Sequence, residues 1–247
     1  MIQSAFLADN HGSRSSKSAT KQTLLDAIEA QINSEKASFH TPGHKGRLSL
    51  RLQTPVWSAD LTELPGLDEL AESAGILEKL QNRICEKWNA RRSFISVNGA
   101  SAALCAAIIA CAGLGTKIVL PRNVHRSALN ALLITGLDPI WYEAEWLDEW
   151  QCWGAASEES LNNAIGNDTN SIAAIVVCSP SYSGSISNIK ALSTYCHERA
   201  IQLIVDEAHG AHLLSQNGFH PGALAFDADL VVHSLHKTLS APTQTGV

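Results

Sequence analysis

The sequence predicts an α/β fold, a mostly parallel sheet with helices on both faces. From Ser93 onward, short apolar or β-branched runs such as Ile172 to Cys178 alternate with segments of helical spacing. Two of these runs, Leu203 to Val205 and Leu230 to Val232, pass directly into polar turns. That alternation is the signature of β-α units around a parallel sheet. The chain has 247 residues, 45% of them hydrophobic. This is a soluble globular composition, long enough for one large domain with a substantial core.

Residues 1–20 are Ser-rich and read as a loose leader, with no positive-then-apolar signal pattern. Residues 21–75 read as an N-terminal helix and loop segment, and 76–247 as the large domain. Thr20 to Ser34 places Leu24, Leu25, Ile28 and Ile32 on one helix face. Phe39 to Gly46 is a loop broken by Pro42, Gly43 and Gly46, and Thr62 to Leu70 holds a Pro-Gly turn. Ile76, Leu77, Leu80, Ile84 and Trp88 fall at helical spacing, so Ile76 to Trp88 is a helix.

The alternating region then runs as follows. Phe94 to Val97 is a short strand and Ser101 to Ala112 a helix, its Ala content predicting close burial. Lys117 to Leu120 is a strand, His125 to Thr135 a helix, and Pro139 to Tyr142 a strand. The acidic, aromatic stretch Trp141 to Trp153 reads as a surface loop. Ser157 to Ile165 is a helix, Ile172 to Cys178 a strand and Ile189 to Arg199 a helix. Leu203 to Val205 and Leu230 to Val232 are the final strands.

Composition narrows the function classes. Net charge is −6 and no dense Lys/Arg run occurs, which argues against nucleic acid or an anionic membrane as main partner. The longest apolar stretch, Ala102 to Ala112, is far short of the ~20 residues that span a bilayer. The six cysteines lack CxxC or paired spacing, so they read as reduced thiols of a cytoplasmic protein, with no metal site.

In such sheets ligands bind beyond the carboxyl ends of the strands. The residues with chemistry sit there. Leu230-Val231-Val232 runs into His233-Ser234-Leu235-His236-Lys237-Thr238, and Leu203-Ile204-Val205 runs into Asp206-Glu207-Ala208-His209-Gly210. A strand-end aspartate and a strand-end lysine suit pyridoxal 5'-phosphate (PLP) chemistry. The lysine forms a Schiff base, and the aspartate keeps the pyridine nitrogen protonated. The amine must exchange with the substrate's, so it must lose its proton easily, as a partly dry site allows. Ser234 and His236 are placed to hold a phosphate beside Lys237. Taken alone, Lys237 would be an ordinary surface lysine and Asp206 a helix cap. Glu207, next along the chain, points elsewhere.

Asn98-Gly99-Ala100-Ser101 joins a strand to a helix start, where backbone N–H groups and the Ser101 hydroxyl make a phosphate cradle. His125 could stack on a cofactor ring or serve only as a helix-start residue. His209 could touch cofactor or substrate. No GxxxxGK[ST] loop occurs, so the DEAH run is no helicase signature.

Together TPGHKG (41–46), DLTELPGLDEL (60–70), VNGAS (97–101), PRNVHRS (121–127), VDEAHGAH (205–212) and HSLHKTLSAPTQTG (233–246) closely resemble the Orn/Lys/Arg decarboxylase family. The resemblance runs from about residue 20 to the end of the chain. It implies an aspartate-aminotransferase-like, fold-type-I large domain binding PLP, with a seven-stranded type of sheet that is either complete or short of a strand. It also implies decarboxylation of lysine, ornithine or arginine to an amine and CO2, as in polyamine biosynthesis, by a homodimer or higher homo-oligomer. Lys237 would be the Schiff-base lysine and Asp206 the partner of the pyridine nitrogen. His125 would stack on the ring, and His209 would lie close to the cofactor. Gly99, Ala100, Ser101, Ser234 and His236 would hold the phosphate or position Lys237. Ala100-Ser101 stands where family members often carry a hydroxyl pair, so a backbone N–H takes the place of one hydroxyl.

Family members continue past the lysine into the rest of the large domain and a smaller C-terminal domain. The expectation is therefore an N-terminal portion, lacking the arginine that usually binds the substrate α-carboxylate. Another fold-type-I reaction, such as transamination or aldol cleavage, fits TPGHKG and HKTLSAPTQTG poorly. The remaining alternative is a non-catalytic PLP-binding remnant, or a partner of a full-length homologue.

Overall fold

Five parallel strands bring the candidate site residues toward one edge of their sheet. They belong to a computed structural model in which residues 30, 32–34, 37, 39, 41–45, 60–166, 169, 171–213 and 220–247 are described. The chain separates into two units, residues 1–39 and 40–247. In the first, Ala30 and Ile32 are helical. The rest of the helix expected over Thr20 to Ser34, and the leader before it, lie largely outside the described residues.

In the second unit the strands are β1 (Lys117–Pro121), β2 (Asp138–Tyr142), β5 (Ile172–Cys178), β6 (Gln202–Asp206) and β7 (Leu230–Val232), in the spatial order β2-β1-β5-β6-β7. Every pairing is parallel. The helices are α1 (Ile76–Trp88), α2 (Gly99–Cys111), α3 (Arg126–Thr135), α4 (Glu158–Ile165), α5 (Ile189–His197) and the short α6 (Leu235–Thr238).

The strands are apolar on both faces because both faces are covered. Ile118, Leu120, Ala174, Val176, Ile204 and Val232 pack with Leu104 and Ile108 of α2 and Ala128 and Ala131 of α3. Val119, Ile175, Val177, Leu203 and Val205 pack the other way, with Leu161 of α4 and Leu192 and Cys196 of α5. Successive strand residues point to opposite faces. Asp206 therefore projects to the α2/α3 side, like Ile204, and Glu207 to the α4/α5 side, like Val205.

Three expectations need correction. Phe94 to Val97 is not a strand; Ser96 alone bridges Gly246, in antiparallel sense. A strand needs a continuous partner, and here the partner is a short return of the distant C-terminal segment. The alanine-rich helix α2 is only half buried: Gly99, Leu104, Ile108 and Cys111 face the sheet, while Ala106, Ile109 and Ala110 are exposed. Alanine suits a helix in either setting, so its abundance said nothing about depth. The stretch Trp141 to Trp153 holds an antiparallel hairpin, β3 (Trp146–Leu147) with β4 (Cys152–Trp153), closed by an edge-on contact of Trp146 and Trp153.

Candidate active site

The ends of β5, β6 and β7 are adjacent because the parallel register sets Cys178 beside Asp206 and Asp206 beside Val232. Each strand then releases a functional turn. Lys237 lies in α6, where its N–H donates to the Ser234 carbonyl at 3.1 Å. Its Nζ is 3.3 Å from His209 Nε2, so the Asp206–Gly210 turn and the lysine turn meet through side chains.

Asp206 is 9% exposed and its Oδ1 accepts the Ala208 N–H at 3.2 Å. Burial pushes its carboxyl above the ordinary range. The Ala208 N–H, and then Lys237, His125 and His233 nearby, pull it back. One backbone donor leaves acceptor capacity on a carboxylate. The donor set therefore suits a group that brings its own N–H or positive charge. Burial holds His209 below the usual imidazole value, Lys237 and His125 push it further down, and a bond to the Pro180 backbone opposes them. The Tyr182 ring meets His209 edge-on at 5.8 Å.

His125 caps α3, with Nδ1 accepting the Ser127 N–H at 3.2 Å and lying 2.9 Å from the Ser127 hydroxyl. The cap leaves His125 close enough to Asp206 and His209 to act electrostatically on both. Cys178 shares this corner. Burial, and next the Asp206 charge, push its thiol up to about 12, so it stays protonated. Its spacing in the sequence carried no such signal.

Gly99, Ala100 and Ser101 open α2, at the same side of the sheet as Asp206. They are tied to the lysine turn through Gly246, which bridges Ser96 on one side and Ser234 on the other. A Cβ on Gly246 would collide with the Gly99 carbonyl carbon and lie 2.7 Å from the Ala100 nitrogen, so only glycine fits there. Ser234 is 1% exposed, with its Oγ 3.3 Å from His236 Nδ1.

Two features escaped the sequence reading. The loop at residues 41–45 reaches the site: the Gly43 N–H donates to the His236 carbonyl at 2.7 Å, against the lysine turn itself. A Cβ there would stand 2.9 Å from the Leu239 carbonyl oxygen and 3.2 Å from that of Lys237. Glu207 does point elsewhere, and the structure shows where: its Oε2 is 2.7 Å from His233 Nε2, both side chains buried. Among the described residues no His/Cys/Asp/Glu group could hold a metal ion.

A doubly covered parallel sheet with a lysine and a buried carboxylate at neighbouring strand ends fits an α/β domain of the aspartate-aminotransferase type. Solved structures share this fold: a sphingosine-1-phosphate lyase from Burkholderia pseudomallei K96243 superposes with TM-score 0.56 at 18% identity, covering 68% of this chain and 43% of that one. The chain belongs to the Orn/Lys/Arg decarboxylase family, whose major-domain model matches residues 23–247. It is 29% identical over 230 residues to an arginine decarboxylase of Halalkalibacterium halodurans, covering 91% of this chain and 47% of that protein. It is 24% identical over 244 residues to the lysine decarboxylase LdcA of Pseudomonas aeruginosa, covering 85% and 32%. The chain thus spans about half or less of the length of these relatives.

Proposed function

We propose that this chain carries the PLP-binding part of a decarboxylase acting on a basic amino acid. The observation that carries the reading is the contact of Lys237 with His209 at the ends of β6 and β7, where β6 also ends in the buried carboxylate of Asp206. The residues present fit PLP. Lys237 offers the amine for the aldehyde carbon, and Asp206 a buried acceptor for the ring N–H. Gly99 to Ser101, with Ser234 and His236, offer donors for the phosphate. His125 supplies a flat ring to pack on the cofactor. Bound there, PLP supplies the electron sink that takes up the pair left when the Cα–carboxylate bond breaks.

The chain's own residues do the rest. Asp206 keeps the ring nitrogen protonated by accepting its hydrogen bond. His209, held neutral by burial and by its cationic neighbours, takes or returns a proton at Nε2, the atom facing Lys237. The substrate is arginine, lysine or ornithine, in keeping with the names of the relatives. We place the protein in the cytoplasm as a homodimer or higher homo-oligomer. No described helix is long and apolar enough to cross a membrane.

The test is to incubate the chain with PLP, reduce with borohydride and locate the adduct by mass spectrometry. Attachment at Lys237, lost in Lys237→Ala, is the expected result; attachment at scattered lysines would sink the reading. Attachment at Lys237 without CO2 release from any of the three amino acids would favour the second reading, a PLP-binding chain that pairs with a longer homologue.

A further inference from the structure

The backbone ladder between β6 and β7 ends at Asp206 and Val232. One residue further on, Glu207 and His233 face each other on the side of the sheet away from Asp206. Glu207 Oε2 stands 2.7 Å from His233 Nε2, with side chains 3% and 4% exposed. Glu207 Oε1 accepts the Ala223 N–H at 3.0 Å. The Trp88 ring lies 5.6 Å from that of His233. The backbone of His233 is fixed as well, exchanging hydrogen bonds of 2.8 and 3.1 Å with Val247. Glu207 directly follows Asp206, and His233 directly precedes Ser234, where the lysine turn begins.

A buried polar pair of this kind is a poor stabiliser. Desolvation offsets most of its attraction, and a well-packed apolar pair often does as well or better. Its best-attested use is to fix a register. Here the register that matters is that of two strand ends, each leading into one half of the site.

We propose that Glu207 and His233 are positioning residues, whose hydrogen bond sets the placement of the Lys237 turn relative to Asp206. The proposal rests on the reading that Lys237 takes PLP. It requires the pair to act on Lys237 without contributing much to stability.

The decisive variant is Glu207→Leu/His233→Leu, which removes the hydrogen bond and keeps the volume apolar. Two readouts are taken well below the thermal midpoint. One is borohydride capture of PLP on Lys237. The other is competitive acylation of the cofactor-free chain, with exposed Lys190 as internal reference. Slow labelling of the fully buried Cys196 thiol certifies the fold. The double variant is expected to keep Cys196 protected, lose about tenfold or more in capture, and change its Lys237/Lys190 acylation ratio at least about threefold. The isosteric Glu207→Gln, which retains an acceptor for Ala223 and a donor for His233, is expected to stay within about threefold of the parent in both. If the double variant exposes Cys196, His233→Phe replaces it, keeping a ring against Trp88 while breaking the bond. A folded variant that captures PLP like the parent overturns the proposal, as does a Glu207→Gln as impaired as the bond-breaking variant. If the parent chain itself captures no PLP, the PLP reading fails. The acylation ratio then decides the positioning role alone: changed supports it, unchanged overturns it.

Discussion

Lys237 Nζ and His209 Nε2 stand 3.3 Å apart, joining two turns that begin 28 residues apart in sequence. A lysine amine is a donor, so a neutral His209 accepting at Nε2 suits the contact. Burial, then Lys237 and His125, hold His209 below its ordinary value. The folded protein therefore binds the His209 proton less readily than the unfolded chain does. The associated stability is present above about pH 6.5, the ordinary imidazole value. It is lost as the pH falls through the folded value. Titration of the His209 ring by NMR is expected to give a midpoint below 6.5, and Lys237→Met is expected to raise it. A midpoint at or above 6.5 in the parent chain would contradict this contact.

Asp206 behaves in the opposite sense. Its burial raises the carboxyl above 3.8, so the unfolded chain ionises more readily than the folded one. Its contribution is most favourable below 3.8 and is lost as pH rises through the folded value. Asp206→Asn keeps an oxygen to accept the Ala208 N–H and removes the buried charge. The cofactor-free variant is expected to melt higher than the parent at pH 7, with the gap closing toward pH 3. Turnover is expected to fall far more than PLP affinity. A cofactor-free variant melting lower than the parent at pH 7 would refute this account.

Gly43 ties a distant loop to the lysine turn through its N–H and its lack of a side chain. Gly43→Ala would press a methyl onto the Leu239 and Lys237 carbonyl oxygens. We expect roughly tenfold weaker PLP capture. Thermal stability should change less than capture, because none of residues 41–45 is fully buried. Unchanged capture would show that the lysine turn holds its place without the loop.

Asp68 builds the start of α1. Its carboxylate accepts N–H bonds from Ala74, Gly75, Leu77 and Glu78. These bonds, that of Ala74 foremost, bring its carboxyl down to about 2. The depressed value means the cap is fully present above the unfolded value of about 3.9. It is lost as pH falls through about 2. Asp68→Ala should speed amide exchange at Leu77 and Glu78 and alter the fluorescence of Trp88, at the far end of the same helix. Unaltered exchange would mean the helix start is held by other contacts.

Much of this was legible because most strands are short, β-branched apolar runs bounded by polar turns. Ile76 to Trp88, Ile172 to Cys178 and Leu230 to Val232 have the expected bounds, and the remaining matched elements differ by a residue or two. Phe94 to Val97 failed as a strand because its partner, Gly246, is 150 residues away from Ser96. The hairpin of Trp146 with Trp153 was obscured by charged residues that read as a loop.

The sequence by itself determined the α/β class, the chain order of the five parallel strands and the candidate residues at strand ends. These follow from periodicity and residue type, which are local properties. Only the tertiary structure decided which residues meet. It seated Gly43 on the lysine turn, closed Gly246 over the start of α2, brought Cys178 beside Asp206 and paired Glu207 with His233. Those contacts depend on parallel register and on which face each side chain takes. Both are set by the packing of distant segments, and no local pattern encodes them.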